Sequence, residues 1–285
     1  MPILTGKTRL AGVLGWPVAH SRSPRLHGFW LERYRIDGAY VPLGAPPEQF
    51  AAAVRGLAAA GFAGANVTVP HKEAAFALCD DADAFARRVG AVNTLVFEAG
   101  RIRGSNTDGF GFIANLRAHG IEPAAGPALL LGAGGSTRAI AAALLDAGAP
   151  VNVASRRPEQ AAALAAEPGL AVLDWNDREA ALADHALLVN TTTAGMSGAP
   201  PLPLDLGRAA ATMAVADIVY APLQTPLLRA ARAHGLRTVD GLGMLLHQAR
   251  PGFAAWFGVE PEVDEALYRF VGVDLLEPDS PAAPE

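Results

Sequence analysis

Short apolar runs alternate with stretches of helical spacing along the first hundred residues. Residues 9–14, 39–43, 64–69 and 93–97 read as buried strands. Residues 23–34 and 48–60 repeat their apolar positions every three or four residues and read as helices. Residues 110–119, closed by Gly120, have the form of a connecting helix, after which the pattern restarts. A strand at 128–131 runs through a glycine turn into a long Ala/Leu helix ending near Ala147. Further strands are predicted at 151–154, 170–173, 186–190, 213–219 and 236–239, and helices at 244–249 and 261–271. Strand–helix alternation of this kind makes an α/β protein, with a doubly wound sheet in its second half.

A chain of 285 residues exceeds what one core normally organises. We expect two domains flanking a cleft: an N-terminal α/β domain over 1–109, completed by returning C-terminal helices at 242–276, and a Rossmann-type domain over 110–241. The Pro- and acid-rich tail 277–285 is expected to be disordered. About half the residues are hydrophobic (51%), yet charged or polar residues interrupt every apolar stretch before ~20, so no transmembrane helix is predicted. Lys7 and Arg9 break the apolar N-terminus where a signal peptide needs a continuous core, which points to the cytoplasm. The single cysteine, Cys79, excludes an internal disulfide and reads as a small buried hydrophobe. The seven histidines lack metal-ligand spacing, so no metal is expected. A net charge of −5 without a basic run argues against nucleic acid, leaving small molecules as partners of a monomer or homodimer.

Candidate chemistry begins at the glycine turn. Gly132, Ala133, Gly134, Gly135 and Ser136 connect an apolar strand to a helix, so the backbone can approach a pyrophosphate and the helix N-terminus can receive it. Thr137 stands where a Gly or Ala is usual, which predicts looser packing of helix on strand. After the next strand come Ser155, Arg156 and Arg157, where an enzyme using NAD would present a carboxylate to the ribose. Guanidinium forks pair with phosphate oxygens, so this segment predicts NADP.

In the first half, Ser21 and Ser23 precede a helix beginning at Pro24. Ser23 suits an N-cap, and the pair also suits a carboxylate site. Lys72 is one of only two lysines among 23 basic residues. It is expected in the first turn of a helix beginning at Pro70, where the dipole works against a cation. That placement is poor for stability but gives a group able to exchange a proton with a hydroxyl, as arginine cannot. Asp108 either caps the helix from Phe110 or sits beside Lys72 as its acid/base partner; spacing leaves both readings open.

Together these segments resemble the shikimate dehydrogenases. The similarity runs through SRSPxxH (21–27), NVTVPHK (66–72), GAVNT (90–94), NTDG (106–109), GAGGSTRA (132–139), NTTTAGM (190–196), DIVYAPLQTPLL (217–228) and GLGMLLHQA (241–249). It implies reversible NADP-dependent reduction of 3-dehydroshikimate to shikimate. Ser21 and Ser23 would hold the substrate carboxylate, and Thr68, Asn93, Asp108 and Gln248 its hydroxyls, with Tyr220 nearby. Lys72 and Asp108 would form the catalytic pair. The turn from Gly132 to Ser136 would take the pyrophosphate, Arg156, flanked by Ser155 and Arg157, the 2′-phosphate, and Thr192, Met196, Val219 and Gly241 the remainder of the cofactor. Two departures stand out: Ser155-Arg156-Arg157 replaces a usual Asn-Arg-Thr, and Gly28 replaces a common Asn. A quinate dehydrogenase and a non-catalytic NADP sensor are the alternatives.

Overall fold

The computed structural model describes residues 4–275; the tail at 277–285 lies outside them. The chain divides into two compact units. One runs to Asp108 and takes in Gln248–Val271, and the other is built on Gly109–His247 and closes at Gly272.

The first unit contains β1 (Arg9–Gly15), α1 (Ser23–Arg33), β2 (Gly38–Gly44), α2 (Phe50–Ala59), β3 (Gly64–Val67), α3 (Lys72–Leu78), β4 (Asp81–Ala82), α4 (Ala84–Val89), β5 (Thr94–Glu98) and β6 (Arg101–Ser105). Its six strands lie in the order β2-β1-β3-β5-β6-β4. The first three are parallel, whereas β5 runs antiparallel to both β3 and β6. The apolar pattern does not predict β6 or β4. Along β6 the exposed Arg101 and Arg103 alternate with the buried Ile102 and Gly104, leaving too little apolar sequence to register as a strand. What fixes β6 is the two-residue turn before it: Ala99 and Gly100 both have positive φ (50° and 75°), the backbone twist that matches paired antiparallel strands.

Several helix starts differ from the sequence reading, three of them through local hydrogen bonds or capping. Helix α3 begins at Lys72, not Pro70, because the His71 N–H closes a turn back to the Thr68 carbonyl at 3.0 Å and keeps Pro70 outside the helix. In α1 the N-cap is Arg22, so Ser23 is the first helical residue and caps nothing. Instead Ser21 Oγ accepts the Ser23 N–H at 3.3 Å. The last helix starts at Glu265 rather than near Pro261, where Asp264 Oδ1 accepts the Leu267 N–H at 2.9 Å.

The second unit holds α5 (Asp108–Ala118, from Gly109 on), β7 (Ala128–Leu131), α6 (Gly135–Asp146), β8 (Val151–Ala154), α7 (Pro158–Leu164), β9 (Leu170–Leu173), α8 (Arg178–Ala181), β10 (Leu187–Asn190), β11 (Ala214–Asp217), α9 (Pro226–Ala233) and β12 (Arg237–Val239). All six strands are parallel, in the order β12-β11-β10-β7-β8-β9. Chain order reverses between β7 and β10, which makes the doubly wound dinucleotide-binding topology with its ligand crevice at the carboxyl ends of those two strands. Alternate residues of β7 enter different cores. Leu130 packs with Phe112, Ile140 and Leu144, and Leu129 and Leu131 with Leu188, Val215 and Leu228. Covering both faces is why these strands read as uninterrupted apolar runs.

Helix α10 (Gly241–Phe257) continues through Pro251, and α11 (Glu265–Gly272) ends the described fold. A proline inside a helix normally breaks it, and the sequence pattern stops the helix at Ala249. Aromatic packing in the first unit carries it on. Phe253 and Trp256 are fully buried among Trp30, His27 and Tyr40, and Trp256 Nε1 donates to the Leu95 carbonyl at 2.9 Å.

Candidate functional site

In the first unit the ends of β1, β3 and β5 and the starts of α3 and α5 converge. Thr68 follows β3, its N–H donating to the Leu14 carbonyl at 2.9 Å, and the Lys72 carbonyl accepts the Val92 N–H at 2.9 Å. That bond ties the head of α3 to the segment carrying Asn93. Lys72 Nζ reaches Asp108 Oδ2 at 2.5 Å, with the side chains 21% and 9% exposed. Asp108 is therefore a partner of Lys72 and not a helix cap. The role of turn-closing side chain falls to Asn106, whose Oδ1 accepts the Asp108 N–H at 3.0 Å.

Asn93 is the hub. Its Oδ1 accepts the Thr107 N–H at 2.9 Å, and its Nδ2 donates to Asp108 Oδ1 at 2.7 Å and lies 3.3 Å from Gln248 Oε1. Thr107 Oγ1 donates to the Gln248 carbonyl at 2.8 Å, fixing α10 to the same place. Lys72, Asn93, Asp108 and Gln248 thus share one network, with Thr68 at the foot of α3. The structure adds residues to which sequence reasoning gave no role. Asn66 and Thr107 lie inside the quoted motifs, but their partners are set by strand pairing and cannot be read from spacing. Tyr40 Oη donates to Asn66 Oδ1 at 2.6 Å from β2, and Ser23 hydrogen-bonds Tyr40. Burial raises the Tyr40 phenol well above its usual range, and the Ser23 bond opposes this weakly.

In the second unit the crevice lies between Gly132 and Thr191. Gly132 has φ of +121°, and a Cβ there would stand 2.7 Å from Thr191 Oγ1; at Gly134 nothing lies within 4 Å of that position. The backbone is thus open where a ligand would approach, and the first-turn N–H groups of α6 have no partner within the helix. Thr137 is fully buried without loosening the packing, contrary to expectation. Its Oγ1 accepts the Gly134 N–H at 3.1 Å and contacts Thr191 Oγ1 at 2.8 Å, joining β7, α6 and β10.

Ser155 is buried and its Oγ accepts the Arg157 N–H at 3.1 Å, while Arg156 and Arg157 are exposed. Ser155 and Arg156 line a groove of about 620 Å³ with Pro158, Ala161, Val172, Leu173, Asp174, Trp175 and Asn176. These residues fit the adenosine end of a dinucleotide carrying an extra phosphate. Beyond β10, Asn190 Oδ1 accepts from the Thr192 N–H at 3.1 Å and from its hydroxyl at 2.7 Å, so Thr192 shapes the loop that leads to the exposed Met196.

Asp217, at the end of β11, accepts from Asn190 Nδ2 and the Val219 N–H at 3.0 Å and from Thr225 Oγ1 at 2.8 Å. Burial pushes its carboxyl up to about 6 despite those three donors. Val219 is buried and Tyr220 half-buried in the loop that follows. Gly241 opens α10, where a Cβ would lie 2.3 Å from the Ile218 carbonyl oxygen. Among the described residues no group of three or more His, Cys, Asp or Glu is placed to hold a metal, and no helix is long and apolar enough to cross a membrane.

Comparison with known proteins bears on the family and the fold. Residues 13–95 match the family model of the shikimate dehydrogenase substrate binding domain. The chain is 69% identical to the NADP(+) shikimate dehydrogenase of Acidiphilium cryptum over 274 residues, 96% of this chain and 99% of that one. Shikimate 5-dehydrogenase of Thermus thermophilus, solved with NADP(H) and shikimate, superposes with a TM-score of 0.86 at 40% identity, covering 94% of this chain and 100% of that one. A quinate dehydrogenase of Corynebacterium glutamicum solved with NAD is more distant in sequence: TM-score 0.85 and 29% identity, covering 94% and 99%. By its end-to-end identity and by both folds, the chain belongs to the shikimate dehydrogenase family.

Proposed function

We propose that this chain catalyses the reversible NADP-dependent interconversion of 3-dehydroshikimate and shikimate, with Lys72 and Asp108 as its acid/base pair. The observation that carries the reading is the 2.5 Å contact of Lys72 Nζ with a largely buried Asp108, itself held by Asn93. NADP, when bound, supplies the hydride acceptor or donor. Everything else falls to the side chains. In the reductive direction the Lys72 ammonium gives a proton to the carbonyl oxygen that becomes the hydroxyl, in the oxidative direction the neutral amine takes that proton back, and Asp108 holds the amine in line. Asn93, Gln248 and Thr68 orient the hydroxyls, and Ser21 and Ser23 hold the carboxylate. Tyr220 completes the substrate contacts from the loop after β11.

For the cofactor, Gly132, Ala133, Gly134, Gly135 and Ser136 form the pyrophosphate cradle, and Ser155, Arg156 and Arg157 receive the 2′-phosphate. Thr192, Met196, Val219 and Gly241 form the nicotinamide end. The preference for NADP follows from Arg156, an exposed guanidinium lining the adenosine groove next to the exposed Arg157 in sequence, where a carboxylate would repel a phosphate. The intended compartment is the cytoplasm, where reduced Cys79, its thiol pushed up to about 11 chiefly by burial, is stable.

Initial rates at the NADPH absorbance band, with shikimate or quinate crossed with NADP or NAD, test the assignment. Turnover confined to shikimate with NADP is the expected result. Preference for quinate with NAD would overturn both the substrate and the Arg156 argument, and a folded chain that binds NADP without turnover would mark a sensor.

A further inference from the structure

The hydrogen bonds behind the acid/base pair have directions that can be deduced. The Thr107 backbone N–H can only donate, so the atom of Asn93 facing it at 2.9 Å is the amide oxygen. Asn93 Nδ2 then faces Asp108. Thr94 Oγ1 lies 3.0 Å from Asn93 Oδ1, a pure acceptor, so Thr94 donates. Asn66 Nδ2 faces the Asn93 carbonyl and Thr94 Oγ1, both at 3.2 Å, so it donates to both. Its oxygen is left for Tyr40, whose single proton is thereby committed across 2.6 Å. Ser23 hydrogen-bonds the same phenol, but its single proton is the one it would give to a substrate carboxylate, so the chain of committed donors starts at Tyr40.

We infer that Tyr40, Asn66 and Thr94 are positioning residues forming a one-way hydrogen-bond relay, Tyr40 to Asn66 to Thr94 to Asn93, that ends on Asp108 and sets the geometry of the Lys72/Asp108 pair. Tyr40, Asn66, Thr94 and Asn93 are all buried, so no link competes freely with water. In such a site, bonds that all point the same way polarise one another, and their terminus here is a carboxylate. A relay that pointed both ways would contain an oxygen facing an oxygen, or an N–H facing an N–H. The fixed backbone donor at Thr107 and the carbonyl at Asn93 exclude that. Tyr40 lies on β2 and Thr94 opens β5 just after Asn93, and neither is given a chemical role by the sequence pattern. His27, stacked on the Tyr40 ring at a centroid distance of 3.8 Å and tilted by 4°, holds that ring in place.

This inference rests on the reading of Lys72 and Asp108 as the acid/base pair, and a double-mutant cycle separates the two. Tyr40→Phe, Thr94→Val, their combination, Thr94→Ser and Lys72→Ala are assayed in the full chain for kcat and for the KM of shikimate and of NADP. Each single variant is expected to lower kcat about tenfold, the scale of one hydrogen bond to a charged network, with the KM of NADP within about twofold of wild type. The double variant should lose little more than the worse single, because both cut one chain, whereas independent packing defects would multiply toward about a hundredfold. Thr94→Ser should restore kcat to within about twofold. If Thr94→Val does not fold, Thr94→Ala replaces it in the cycle.

Singles within about twofold of wild-type kcat, a multiplicative double, or no rescue by serine would overturn the relay while Lys72→Ala still lost turnover. Near wild-type turnover in Lys72→Ala would instead remove the acid/base reading, and the relay with it.

Discussion

Replacing Lys72 by methionine keeps the buried stem and removes only the ammonium. Two consequences follow from the geometry. The Asp108 carboxylate, its side chain 9% exposed, loses a partner at 2.5 Å and keeps the Asn93 amide at 2.7 Å. Loss of one charged hydrogen bond from a half-satisfied carboxylate costs about 1–3 kcal/mol of stability, so the variant should still fold. Catalysis should suffer more. A positioned proton-transfer group contributes ~10²–10⁴ in rate, or roughly 3–5 kcal/mol of barrier. Lys72→Arg separates charge from proton transfer, because a guanidinium can pair with Asp108 but cannot give up its proton. Steady-state kcat for shikimate oxidation, with NADP binding measured by fluorescence titration, should therefore fall almost as far in Lys72→Arg as in Lys72→Met, with the nucleotide dissociation constant unchanged within about twofold. If Lys72→Arg kept kcat within about tenfold of wild type, Lys72 would be acting through its charge alone and the proton-transfer argument would be refuted.

Other measurements probe the rest of the molecule. Arg156→Glu should weaken NADP binding by about 10–100-fold and leave NAD no weaker, since it replaces a phosphate-pairing fork with a like charge; equal loss for both nucleotides would contradict the 2′-phosphate assignment. Burial lowers the His27 imidazole to about 3, opposed only weakly by Asn66, and neither ring nitrogen has a partner of hydrogen-bonding geometry. The unfolded chain therefore binds the proton first, and stability present above pH ~6.5 drains away as pH falls toward ~3. Chemical denaturation of His27→Phe should show a smaller loss between pH 7 and 5 than wild type, and an identical loss would exclude His27 as its source. Asp217 has the opposite sign. Its carboxyl is raised to about 6 by burial, so the folded state holds the proton longer, and stability falls by up to ~3 kcal/mol as pH rises from ~4 through ~6. Asp217→Asn should flatten that limb. In Gly64→Ala the new Cβ would stand 2.1 Å from the Leu95 carbonyl oxygen and 2.2 Å from Trp256 Nε1, so a loss of about 3 kcal/mol or more is expected in a thermal melt, and a change below ~1 kcal/mol would show that strand and indole can separate freely.

Much of this protein is determined by sequence alone. The strands of the second unit are legible because both sheet faces are covered, so β7 appears as four consecutive apolar residues and coincides with the predicted 128–131. The glycine turn is legible because Gly132, at φ +121° and with Thr191 Oγ1 2.7 Å from where a Cβ would stand, requires a residue without one. Lys72 stood out through the rarity of lysine, which is a compositional signal.

Tertiary structure decided what depends on partners distant in sequence. Strand β6 owes its existence to its pairing with β5, since two of its own five residues are charged and only Ile102 is a large apolar one. Helix α10 outlasts Pro251 because Phe253 and Trp256 have an aromatic core to enter. The Ser23 hydroxyl meets Tyr40, 17 residues further on, and Ser21 accepts the Ser23 N–H, so the N-cap that spacing suggested at Ser23 falls to Arg22. Asp108 is free to meet Lys72, 36 residues away, because Asn106 closes the turn in its place. Periodicity and propensity report which face of an element is apolar. The donor and acceptor that meet at one atom are set by strand order and register, and a hydrogen bond's direction is set by whatever occupies the group's other side.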